Sequence, residues 1–151
     1  MALRVLVCAI VACVALAGCG TAPKSGSGTL ARHDCSSSPC EVPVNHACAW
    51  PFCGIDVADE IHVSTARPMT ITWTLHGHQN THFNPSPNQG IVFSGAQMDK
   101  FVCNAVSSPQ PNEPRVYACT NNAPRGGPYK YTIRTKGWGS PPDKDPSVVN
   151  D

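Results

Sequence analysis

Between Met69 and His76 apolar and polar side chains alternate without a break. Met69, Ile71, Trp73 and Leu75 share one parity, and Thr70, Thr72, Thr74 and His76 share the other. A period of two marks a strand with one buried and one wetted face, whereas a helix would scatter the same apolar groups around its axis. This part of the chain is therefore committed to a sheet. Trp73 falls where a core would be and can bury on the order of 200 Å². The strand runs directly into HGHQNTH, so His76, His78 and His82 follow on from the strongest fold signal in the chain.

The same period recurs more weakly elsewhere. Ile61 and Val63 point inward, with Glu60, His62 and Ser64 outward, and Ile91 and Phe93 form a short strand bounded by Gly90 and Gly95. Tyr129, Tyr131 and Ile133 alternate with Lys130, Thr132 and Arg134. Residues 79–89 read as a loop plugged by Phe83, Arg125-Gly126-Gly127 as a hairpin turn, and residues 147–150 as a last edge strand. Fifteen prolines and twelve glycines multiply the turns. About seven short strands and no helical period after the N-terminus predict an all-β antiparallel β-sandwich, with the strands at 69–76 and 129–133 central.

The first nineteen residues carry sorting information. Arg4 supplies a positive charge, and residues 5–15 are apolar but too few to span a bilayer. Leu16-Ala17-Gly18-Cys19 then resembles the lipobox of bacterial lipoproteins. An ordinary secretory signal or an uncleaved anchor is the alternative. The resemblance implies a signal peptide at 1–18, removed before Cys19, and a lipid on Cys19 that holds the protein on a membrane. Residue 20 is Gly rather than the Asp associated with inner-membrane retention in enterobacterial lipoproteins, which leans towards the outer membrane. Residues 19–33 then read as a polar, flexible tether and 34–151 as the folded domain.

Of the nine cysteines, Cys8 and Cys13 leave with the signal and Cys19 is taken by lipid. The remaining even set, Cys35, Cys40, Cys48, Cys53, Cys103 and Cys119, reads as disulfides in an oxidising compartment. Phe101 and Cys103 share a parity, as do Tyr117 and Cys119. Two antiparallel strands would thus bridge Cys103 to Cys119 across a loop of about 15 residues, worth roughly 3 kcal/mol by chain entropy. The other four are spaced C-x4-C-x7-C-x4-C. A hairpin centred on Val44 would nest Cys40–Cys48 inside Cys35–Cys53, while local bridges Cys35–Cys40 and Cys48–Cys53 are the competing choice. A zinc site from four thiolates fits this spacing and compartment poorly. The absence of C-x-x-C gives thiol–disulfide exchange no support.

Function is less legible. A net charge of +1 and no basic stripe argue against nucleic acid as a partner. Asp56, Asp59 and Glu60 read as loop solvation rather than a general acid–base pair, and no nucleophile elbow surrounds the serines. His76, His78 and His82 are of the right type for copper or zinc, but His76 lies on the wetted Thr face and Gly77 interrupts the strand. His33 and His46 read as surface residues. Trp50-Pro51-Phe52, between two cysteines, is either packed under the sandwich edge or an apolar tip for a partner.

From Ile61 onward, TITWTL (70–75), GIVF (90–93), FVC ending at Cys103, YACTNN (117–122), PYKYTIR (128–134) and the terminal DPSVVND resemble small exported bacterial proteins with a cupredoxin-like β-sandwich. The resemblance implies that fold, which is immunoglobulin-like in architecture, and no assigned activity. Blue-copper sites need a His close after the ligand Cys, and Cys119 is followed by TNNAPRGGPYKY, with neither His nor Met. The expectation is a non-catalytic, lipid-anchored envelope protein without a cofactor. It would serve as an interaction or structural module for an unidentified envelope partner, the alternative being a metal-binding protein using the three histidines.

Overall fold

The structure, a computed structural model, describes residues 31–151 apart from 50–51, 65, 67, 87–88, 97, 107–112 and 140. The signal peptide, Cys19, most of the tether and the Trp50-Pro51 pair lie outside the described residues. The chain is an all-β sandwich. One five-stranded sheet has the order β1 (Arg32–Cys35), β4 (Glu60–Val63), β12 (Ser147–Asn150), β10 (Gly126–Ile133), β7 (Ile91–Phe93). The facing sheet runs β3 (Phe52–Asp56), β2 (Cys40–Ala49), β5 (Met69–Gly77), β9 (Val116–Asn121), β8 (Phe101–Ala105). A separate two-stranded ribbon pairs β6 (Thr81–Phe83) with β11 (Thr135–Gly137). The first strand begins at Arg32, so the folded domain starts slightly earlier than composition indicates.

Parity set the core as expected. Met69, Ile71, Trp73 and Leu75 are all buried, and β5 is the middle strand of its sheet. Across the interface lie Ile61, Val63, Ile91, Phe93, Tyr131, Ile133 and Val148. Trp73 packs on Phe93 and Tyr131, and its Nε1 donates to the Tyr131 hydroxyl at 3.2 Å. Phe93 and Phe101 stack with ring centroids 3.7 Å apart, closing the side of the sandwich where edge strands β7 and β8 meet. Phe83 is fully buried as expected, though from strand β6 rather than from a loop.

Four features differ from the sequence reading. Most ladders are antiparallel, but β1–β4, β4–β12 and β2–β5 are parallel. Residues 147–150 form no edge: β12 sits between β4 and β10, because Ser147, Val148 and Asn150 are all buried there. Arg125-Gly126-Gly127 is not a hairpin turn, since β9 and β10 belong to opposite sheets and Gly126 and Gly127 already begin β10.

The fourth difference concerns the cysteines. Cys103–Cys119 is bridged as expected, directly across the β8–β9 ladder. The nested pairs Cys35–Cys53 and Cys40–Cys48 do not form; the bridges are Cys35–Cys40 and Cys48–Cys53. Val44 is mid-strand rather than the tip of a turn, so Cys40 and Cys48 are separated by eight residues of one strand, about 26 Å. The actual hairpin joins β2 to β3, putting Cys48 opposite Cys53 with Cα atoms 4.0 Å apart. Pro43 lies in the half of β2 that β3 does not cover, where that edge of the strand is free of a second ladder.

Candidate functional site

Parallel pairing of β2 with β5 places His46 beside Gly77 and Asn45 beside His76 at one end of the sandwich. The β2–β3 hairpin, residues 77–80, the β6–β11 ribbon and Trp138-Gly139 converge on this end. Two glycines make the convergence possible. Gly77 (φ +104°) lets the chain leave β5 against the His46 carbonyl, where any Cβ would collide with that oxygen. Gly139 (φ +58°) lies on the Cys48–Cys53 bridge, and a Cβ there would stand 2.6 Å from Cys53 Sγ.

Arg115 holds the rest together. Its Nη1 donates to the carbonyls of His78, Gln79 and Thr81 at 2.8, 3.2 and 2.9 Å, and its Nη2 to those of Leu75 and Gly77 at 2.8 and 3.4 Å. One guanidinium thus gathers carbonyls from the end of β5, the turn after it and the start of β6. No local pattern marks Arg115 in the sequence, because its partners are about 35 to 40 residues away.

The three histidines singled out from the sequence do not converge. His76 is exposed at the end of β5. His78 stacks on Trp138 at 4.2 Å, and its Nδ1 accepts from the Asn80 N–H. His82 stands on β6 opposite Lys136, with a buried Nδ1 that has no hydrogen-bond partner among the described residues. The clusters of three ligand-type atoms within 4.8 Å that the described residues do form lie elsewhere: His46 with Cys48 and Cys53, and His33 with Cys35 and Cys40. In both, the sulfurs are joined in a disulfide and offer no thiolate.

His46 departs from the surface position expected of it. It continues the inward line of Cys40, Val42 and Val44 and is 5% exposed. Its Nε2 lies 3.5 Å from Cys48 Sγ and 3.3 Å from the Gly139 carbonyl, and its Nδ1 is buried with no partner among the described residues. At the same end of the sandwich two large apolar side chains are exposed, Phe52 at 77% and Trp138 at 53%, among polar neighbours such as Asn45 and His78. A second apolar feature, a cavity of about 390 Å³, opens between the β7 and β8 edges under Met98 and Val102. Asp59, Asp56 and Glu60 stay separate from both. The Asp59 carboxylate accepts from the Ala31 N–H at 3.1 Å and pairs with Lys144 at 3.4 Å, so it anchors the start of β1. Glu60 lies 3.2 Å from His62, whose other nitrogen faces Asp151 at 3.4 Å. No protein-family model and no curated protein matches the chain.

Proposed function

We propose that the protein is an exported lipoprotein held on the bacterial envelope through lipid on Cys19, its sandwich acting as a non-catalytic interaction or structural module. The observation that carries this reading is Leu16-Ala17-Gly18-Cys19, placed directly after a basic start and a short apolar run. Three disulfides in one small domain support it, since such bridges persist in oxidising, extracytoplasmic compartments. Exposed Phe52 and Trp138, beside a hairpin stapled by a bridge, are the kind of rigid apolar surface an envelope partner would use. The outer membrane is the preferred location, and the resemblance to exported cupredoxin-like sandwiches bears on fold only.

Anchoring is tested by metabolic labelling with an alkyne fatty acid. The wild type should carry the label and stay with the membrane fraction, and Cys19→Ser should lose both. Equal label on the two proteins would refute lipidation at Cys19. Turnover of any substrate by the purified protein in a broad hydrolase and oxidoreductase screen would refute the non-catalytic role. The alternative metal centre at His76, His78 and His82 gains nothing from their geometry, since each is held in a different setting.

A further inference from the structure

The sequence contains the pattern H-x-C-x4-C twice, at His33-Cys35-Cys40 and at His46-Cys48-Cys53. Each set is brought together in space with its two sulfurs bridged. The copies differ in access. Cys35 and Cys40 are 2% and 4% exposed, and Cys103 and Cys119 are equally buried, so a reductant cannot reach those bridges without unfolding. Cys48 is exposed and Cys53 half-buried. In the second copy it is the histidine that is buried, the reverse of the first, where His33 is partly exposed.

Packing alone does not account for His46. A valine would extend the Val42–Val44 line, whereas the imidazole leaves a buried Nδ1 without a partner among the described residues, an arrangement that packing alone disfavours. Its Nε2 meets a sulfur at the spacing a shared metal requires. Bond lengths of about 2.05 Å to nitrogen and 2.3 Å to sulfur give a tetrahedral N···S edge of about 3.6 Å. The observed separation is 3.5 Å. One imidazole nitrogen and two sulfurs within 4.8 Å of one another are a donor set for a thiophilic d10 cation, and the sulfur–sulfur bond withholds the two thiolates from it.

We propose that Cys48–Cys53 is a reducible cover on a zinc site formed by His46 Nε2, Cys48 Sγ and Cys53 Sγ. A dithiol reductant opens it: one reductant thiolate attacks a cysteine sulfur and expels the other as thiolate. The reductant's second thiol then resolves the mixed disulfide, and the reductant leaves oxidised by two electrons. Zn²⁺ takes the two cysteine thiolates with loss of two protons, and the imidazole proton that Nε2 directs at the Gly139 carbonyl moves to Nδ1, freeing the Nε2 lone pair for the ion. Water fills the fourth position on the exposed side of Cys48. The ion then replaces the bridge as the tie across the β2–β3 hairpin, so the end of the sandwich carrying Phe52 and Trp138 keeps its shape in either redox state.

The full-length protein in detergent is reduced stepwise with a phosphine, which supplies no thiol ligand, and the phosphine is removed anaerobically. Cysteines freed at each step are alkylated and mapped, and Zn²⁺ is titrated with native mass spectrometry as the readout. Cys48–Cys53 should open first, and one Zn²⁺ per chain should then bind, none having bound before reduction. Zinc should shield Cys48 and Cys53 from alkylation, and Co²⁺ in its place should show a thiolate charge-transfer band. His46→Ala should weaken zinc binding by about tenfold or more, at least the loss seen when a ligand's supporting contact is removed. Opening of another bridge first, zinc that leaves Cys48 and Cys53 equally reactive, or undiminished affinity in a folded His46→Ala protein would overturn the proposal. The shielding and opening-order measurements need no variant, so they decide the matter even if His46→Ala fails to fold.

Discussion

Replacing Asn150 by alanine tests how the C-terminal strand is held. The Asn150 and Asn121 side chains are both buried and join β12 of one sheet to β9 of the other. Asn121 Nδ2 donates to Asn150 Oδ1 at 2.9 Å. Asn150 Nδ2 lies 3.4 Å from Asn121 Oδ1, 3.2 Å from the Ala123 carbonyl and 3.1 Å from the Pro124 carbonyl. Asn150→Ala removes these bonds and leaves Asn121 Nδ2 and the Ala123 carbonyl unpaired. A lost hydrogen bond costs about 1 kcal/mol net, and a buried orphan about 1–3 kcal/mol. Water reaching the Pro124 side offsets part of this, so the expected loss is about 3 kcal/mol. At about 4 °C per kcal/mol for a domain of this size, Tm should fall by about 12 °C. Urea unfolding with the bridges intact, followed by near-UV circular dichroism, measures the loss, and an unchanged m-value shows that the denatured state has not shifted. A double-mutant cycle isolates the pair: Asn121→Ala with Asn150→Ala should cost at least about 1 kcal/mol less than the sum of the single changes, because neither partner is then left orphaned. A loss below about 0.5 kcal/mol for Asn150→Ala, or strict additivity, would refute the account.

Tyr131→Phe keeps the ring against Trp73 but removes the acceptor of the Trp73 N–H, and should cost about 1–3 kcal/mol in the same assay. Burial pushes the Tyr131 hydroxyl well above its ordinary range, so no tyrosinate absorbance should arise from it below the alkaline unfolding transition. Cys103→Ala with Cys119→Ala should lower stability by about 3 kcal/mol, the chain-entropy value for a loop of that length, and no loss would mean that the denatured state does not feel the constraint. The Ala31 amide, with Lys144 behind it, holds the Asp59 carboxyl below its ordinary 3.8 against a smaller opposing effect of burial. A depressed folded value gives stability that is present above the unfolded value and lost as pH falls through the folded one. The Ala31 amide resonance should therefore titrate with a midpoint below 3.8, and Asp59→Asn should abolish that titration.

Much of the architecture was legible because parity is local. Burial of Met69 through Leu75, of Ile61 and Val63, of Ile91 and Phe93, and of Tyr131 and Ile133 follows from period two alone. The Cys103–Cys119 bridge was legible for the same reason: two strands of matching parity and one loop leave little choice of partner. The site was scarcely legible. His46 reads as one polar residue among cysteines, and only its place in the inward line of β2 buries it against Cys48. The run HGHQNTH reads as a cluster, yet a turn at Gly77, a stack on Trp138 and a change of strand at Thr81 disperse its three imidazoles.

From its residues alone this protein is committed to strands, to a sandwich, to an inward face built on Trp73 and to a bridge between Cys103 and Cys119. Which strands lie side by side was decided only in three dimensions. Period two specifies a strand's faces but not its neighbours, since the hydrogen bonds along its edges are alike whatever residue supplies them. Hence a terminal segment that reads as an edge became the middle of a sheet, and four cysteines with a symmetric spacing closed locally. Through the same choice of neighbours, pairing of β2 with β5 and β3 set a histidine that reads as a surface residue against the one accessible bridge among the described residues.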